Sequence, residues 1–75
     1  MAQAASFDIT STVDLQEVLL LLREAGCTIL EVKMSEEGQE QTIEVVVRPT
    51  RHVRTADVAA RIAQVPDVRN VDWTD

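Results

Sequence analysis

Residues 5–35 read ASFDITSTVDLQEVLLLLREAGCTILEVKMS, and the order of patterns within them decides the fold. Over Ala5–Thr12, Phe7 and Ile9 alternate with Ser6, Asp8 and Thr10, the period of two that marks a half-buried strand. Over Val13–Ala25 the spacing turns helical, and Leu15, Val18, Leu19 and Leu22 form one stripe for a core. Ser11 or Thr12 is placed to cap this helix, and Asp14 adds a negative charge where the helix dipole favours one. Gly26 follows as a left-handed stop. Thr28–Ser35 returns to period two, with Leu30, Val32 and Met34 alternating with Glu31, Lys33 and Ser35.

The second half repeats this order. Glu36–Gln41 is polar, contains Gly38 and reads as a hairpin tip. Gln41–Arg48 carries Ile43, Val45, Val46 and Val47, the continuous apolar run of a central strand, and Pro49 ends it. Thr55–Val65 is a helix with Thr55 as its cap, Val58, Ile62 and Val65 as its buried stripe, and Pro66–Asp67 as its stop. Val68–Trp73 closes the chain with Val71 and Trp73 on one face and Asn70 and Asp72 on the other. The order βαββαβ is the α+β, ferredoxin-like sandwich. Right-handed crossovers put both helices on one face of a four-stranded antiparallel sheet ordered 4-1-3-2. Residues 1–5 read as a flexible N-terminal segment or linker, and 6–75 as the domain.

The sheet face away from the helices should carry Asp8, Thr10, Glu31, Lys33, Glu44, Asn70 and Asp72, with Val46 among them. Such a polar face argues against sheet-on-sheet packing, and without aromatic residues it cannot stack RNA bases. The chain has 13 acidic residues against seven Lys and Arg, a net charge of −6, which argues against nonspecific binding to nucleic acid. Cys27 is the single cysteine, so no intramolecular disulfide can form. The longest apolar run, Val18–Leu22, is far short of the ~20 residues that span a bilayer, and the first residues lack the basic start and apolar stretch of a signal peptide. The isolated domain is expected to be soluble.

Taken with the βαββαβ order, the helix end Arg23–Glu24–Ala25–Gly26 running into Thr28–Ile29–Leu30 resembles an ACT domain, a small regulatory module that often binds amino acids and usually pairs with a like module. The tail Arg61–Ile62–Ala63–Gln64–Val65–Pro66–Asp67–Val68–Arg69–Asn70–Val71–Asp72–Trp73 resembles the close of the MgtC/SapB family of bacterial membrane proteins, where a helix, a Pro and a Val-x-x-Val-x-Trp strand end the chain. That resemblance implies a parent protein embedded in the bacterial inner membrane, with this domain on its cytoplasmic face. It also implies a link to growth in low magnesium and to survival inside macrophages, through regulation of other membrane proteins. Amino-acid-binding ACT domains carry a glycine in the turn after the first strand. Ser11–Thr12–Val13–Asp14 has none, and Asp14 would repel a ligand carboxylate.

No residues form a catalytic constellation, and no cofactor or metal site is assigned. Glu36, Glu37, Glu40 and Glu44 are carboxylates on a hairpin tip without the octahedral preorganisation magnesium wants, so they read as solvated. Arg51 and Arg54 are weak candidates for an anion, since Arg48, Arg51, His52 and Arg54 gather positive charge before the second helix, but they read better as a solvated loop on an acidic protein. His52 has no nucleophile or orienting group to work with, and Cys27 reads as a small buried thiol. Acylphosphatases share the strand order but need an arginine in the loop after strand one, and that loop has none. The first helix has more apolar residues than its core stripe uses, with Val13 and Leu20 nearly opposite it and Leu21 on a flank. The second has Ala56, Ala60 and Ala63, with Ala59, on one flank. Val13, Leu20, Leu21, Ala56, Ala60 and Ala63 are therefore the expected protein-contact surface, for a second copy or another protein. The expected role is noncatalytic regulation by contact; the alternative is an amino-acid sensor using Ser11–Asp14 and Cys27–Ile29.

Overall fold

A computed structural model describes residues 4–75. Its elements are β1 (Ala5–Ser11), α1 (Leu15–Glu24), β2 (Cys27–Glu37), β3 (Glu40–Pro49), α2 (Thr55–Ala63) and β4 (Val68–Thr74). The strands form one antiparallel sheet in the order β2-β3-β1-β4, so the expected topology is the one found. Phe7, Ile9, Ile43, Val45 and Val47 line the helix side of the two central strands. They close on Val18 and Leu22 from α1 and Val58, Ala59 and Ile62 from α2, all buried. The core is aliphatic but for Cys27 and the fully buried Phe7.

Ala5 is the first residue of β1, buried and paired with Val47, so the folded unit begins one residue earlier than expected. The remainder of the expected linker lies outside the described residues except Ala4, which is exposed. The helix α1 starts two residues later than its hydrophobic pattern implies. Its N-cap is Asp14, in extended conformation and without a side-chain capping bond, and not Ser11 or Thr12. Ser11 belongs to β1 and is fully buried, while the Thr12 amide donates to the Asp67 carbonyl at 3.1 Å and ties the end of β1 to the turn before β4.

This late start corrects the reading of Val13. Placed on a helix it would face solvent, but it precedes the helix and its side chain turns into the core, 6% exposed. Val18 and Leu22 form the buried line of α1, with Leu15 and Leu19 half-buried on one side and Leu21 and Ala25 on the other. Helix α2 likewise has Arg54 as its N-cap, and Thr55 is instead its buried first residue. Ala59 joins the core.

Two glycines carry the turns that need them. Gly38 opens the two-residue β2–β3 turn at φ +66°, the left-handed first position such hairpins require. Gly26 follows the α1 C-cap at φ +95°, as its place in the sequence implies. A Cβ there would stand 2.9 Å from Val53 Cγ2 and 3.1 Å from Thr50 Oγ1, while its carbonyl accepts from the Thr50 amide at 2.9 Å. Only glycine fits both the angle and the approach.

Strand β2 departs from simple alternation. A bulge between Ile29 and Glu31 leaves Leu30 without a partner on β3. Cys27 and Ile29 before it, and Val32 and Met34 after it, therefore share the helix side. A second irregularity, between Thr10 and Ser11, sets Arg69 out of the β1–β4 ladder. The open face carries Ser6, Asp8, Thr10, Glu31, Lys33, Glu44, Val46, Asn70, Asp72 and Thr74 in facing registers.

Candidate functional site

The six residues expected to form one contact surface fall in three places. Val13 is core. Leu21 is half-buried and lines a small apolar cleft of about 150 Å³ between the helices, with Val13, Val18, Ile62, Val65 and Val68. Ala56, Ala60 and Ala63 stay exposed along α2, where with Trp73 and Val71 they line a shallow groove of about 470 Å³ against edge strand β4. Leu20 stands alone on the outer side of α1, 55% exposed.

What residue spacing does not show is which apolar side chains of β2 stay exposed. Of the four exposed large apolar residues, three lie on β2 or on α1, which packs on it: Leu20, Leu30 at 43% and Met34 at 43%. Trp73 on β4, at 40%, is the fourth. For Met34 the cause is coverage. Helix α1 is 10 residues long, about 15 Å at 1.5 Å per residue, whereas the 11 residues of β2 run about 36 Å. Burial along the helix-side row of β2 accordingly fades from Cys27, through half-buried Ile29 and Val32, to exposed Met34. The long axis of the molecule, 39 Å against 22 and 19 Å, has about the length of this strand. The spacing predicts a strand over Thr28–Ser35, whereas β2 runs from Cys27 to Glu37, and neither that length nor what stops covering it is legible in the local pattern.

Arg51 and Arg54 are exposed in the loop before α2, and among the described residues neither makes an ion pair. Glu36 and Glu37 are exposed near the hairpin tip. Glu40 instead accepts from Arg69 Nη1 at 2.9 and 3.0 Å, the single ion pair among the described residues. No grouping of three His, Cys, Asp or Glu side chains suited to a metal occurs among those residues. Cys27 is buried, and burial raises its thiol pKa above the ordinary value, which keeps it protonated and unreactive.

The two segments of the amino-acid-sensor alternative stand far apart within the chain. Ser11 pairs with Gln41 at one end of β3, and Cys27 with Pro49 at the other. Even Ile29, opposite Val47, is six steps along β3 from Gln41, about 20 Å at ~3.3 Å per residue, so one small ligand does not bridge the two segments along the sheet of one chain.

Neither family models nor curated proteins match the chain. Solved structures do. The ACT domain of a GTP pyrophosphokinase from Chlorobium tepidum superposes with a TM-score of 0.81 at 9% identity, covering 99% of this chain and all of that one. The C-terminal domain of the MgtC protein from Mycobacterium tuberculosis gives 0.73 at 13% identity, covering 97% and 86%. A formyltetrahydrofolate deformylase from Pseudomonas putida KT2440 gives 0.76 at 17% identity, with 97% of this chain lying on 29% of that one. A ferredoxin-like βαββαβ sandwich that superposes on ACT domains and on the C-terminal domain of MgtC has an ACT-like fold.

Proposed function

We propose that this chain is a noncatalytic regulatory domain that works by protein contact, of the type carried at the cytoplasmic end of an MgtC-type membrane protein. The carrying observation is the exposure of four large apolar side chains, Leu20 on α1, Leu30 and Met34 on β2 and Trp73 on β4, each of which a partner could cover. The likeness to the MgtC C-terminal domain and the Val-x-x-Val-x-Trp close of the chain support the parent assignment. On this reading the parent sits in the bacterial inner membrane and serves growth in low magnesium and intracellular survival. No helix among the described residues is long and apolar enough to cross a membrane, and the membrane-spanning part belongs to the parent.

The contact reading is tested in the organism of origin by introducing Leu20→Glu into the genomic copy. Growth in low magnesium should fail while growth in replete medium and the level of the protein are unchanged. Unimpaired growth in low magnesium overturns the assignment. A titration of isotope-labelled protein with magnesium and with a panel of amino acids should give no localised, saturable shifts. Such shifts confined to Ser11–Asp14 would make the domain a sensor.

A further inference from the structure

We propose that the end of the domain carrying Arg23, Arg48, Arg51 and Arg54 rests on the anionic headgroups of the membrane that its parent spans, with the acidic β2–β3 hairpin tip turned away. This rests on the parent assignment above and adds a second surface to it. Arg48, Arg51 and Arg54 stand within residues 48–54, which hold no acidic side chain, and all three are exposed. The fold brings exposed Arg23, in the last turn of α1, to the same end, because the Gly26 carbonyl just beyond that helix accepts from the Thr50 amide at 2.9 Å. Among the described residues none of the four arginines makes an ion pair. Arginine suits phosphate, which its planar fork can hold through two hydrogen bonds.

Two further features of the fold align with this charge. The first is where the chain enters. Ala5 opens β1 opposite Val47, the residue before Arg48, so the first strand starts at the basic end. In the MgtC protein that superposes on this chain the matching part is the C-terminal domain, and in a parent of that type the chain reaches the domain at β1. The end nearest the membrane is then the basic one. The second feature is where the carboxylates lie. Asp14 and Glu17 at the start of α1, Glu36, Glu37 and Glu40 at the hairpin, and Asp67 before β4 all sit at the opposite end. Glu24, Asp57 and Asp75 remain at the basic end, on α1, on α2 and after β4, all outside residues 48–54. The molecule is 39 Å long, whereas a charged surface is screened over about 8 Å at physiological salt. The far carboxylates therefore do not feel the headgroups, and the net charge of −6 does not decide the contact.

The test is cosedimentation of the chain at low salt with vesicles of equal parts phosphatidylglycerol and phosphatidylcholine, against vesicles of phosphatidylcholine alone. The chain should bind the first and not the second, and added salt should release it. Arg51→Glu with Arg54→Glu should weaken binding about tenfold or more. Lys33→Glu with Arg61→Glu changes the net charge equally and should leave binding within about twofold, with both variants checked for folding by circular dichroism. With a spin-labelled lipid in the vesicles, amide signals from residues 48–54 should broaden before those from residues 36–40. No binding to the anionic vesicles, equal loss in both double variants, or broadening that begins at the hairpin overturns the proposal. A localised, saturable response of residues 48–54 to inorganic phosphate, with none to vesicles, overturns it as well, because the site would then serve a free anion. Failure here leaves the growth assay for Leu20→Glu untouched, so the parent assignment is judged separately.

Discussion

Ser11 on β1 stands directly opposite Gln41 on β3, and the side-chain oxygen of each is buried without a protein hydrogen-bond partner. A buried hydroxyl that stays unpaired costs about 1–3 kcal/mol of desolvation. Ser11→Ala removes it with little change in volume and is expected to raise stability by about 1 kcal/mol. Urea unfolding should show a higher midpoint at unchanged slope. A lower midpoint would mean that the hydroxyl is bonded in solution.

Gly26 meets two independent constraints, its left-handed angle and the 2.9 Å approach to Val53 that a Cβ would make. Gly26→Ala should therefore destabilise by about 2 kcal/mol or more, outweighing the gain from a stiffer unfolded chain. Gly38 has a left-handed angle but open space, so Gly38→Ala should cost less. Similar losses at the two sites would remove the role assigned to the Val53 contact.

Leu20 and Leu22 are two residues apart with opposite fates, one 55% exposed and the other fully buried. Leu22→Ala should cost about 2–5 kcal/mol through lost burial and the cavity left behind. Leu20→Glu should change thermal stability by no more than about 0.5 kcal/mol while weakening association. Unfolding of the Leu20 variant would place that side chain in the core.

Asp8 faces Glu44 on one neighbouring strand and Asp72 on the other, a row of three carboxylates across the open face. Like charges directly opposite are destabilising by a few tenths of a kcal/mol each. Asp8→Thr keeps a good strand former there and should raise stability by about 0.5 kcal/mol at low salt. Because the repulsion is screened, that gain should shrink as salt is added. An effect independent of salt would not be electrostatic.

The Cys27 thiol is held above its ordinary pKa by burial, so the folded state favours the protonated form. Once pH passes the unfolded thiol value, about 8.5, the unfolded state binds fewer protons than the folded one and stability falls with rising pH. Cys27→Ala should flatten that alkaline loss. Equal slopes for variant and wild type between pH 8 and 10 would exclude the thiol as its source.

Topology was legible because each element carries its own periodicity. Phe7 and Ile9, or Val58 and Ile62, announce strand or helix whatever they later touch. Val13 was not legible, because its burial follows from the helix beginning at Leu15, and the local pattern cannot locate a start to within two residues. Nor was the phase of β2, where the bulge at Leu30 arises from pairing with β3. Of the expected contact surface, Leu20, Ala56, Ala60 and Ala63 are exposed, but on separate sides of the molecule.

The sequence by itself determined the element order, the polar open face and the glycine stop at Gly26. These are properties of residue type and spacing along one chain. Tertiary structure alone decided that Met34 at the far end of β2 remains uncovered, and that Ser11 and Cys27 lie at opposite ends of the sheet. Both depend on which element stands opposite and how far it reaches, since a short helix laid on a longer strand leaves an edge that no local pattern records.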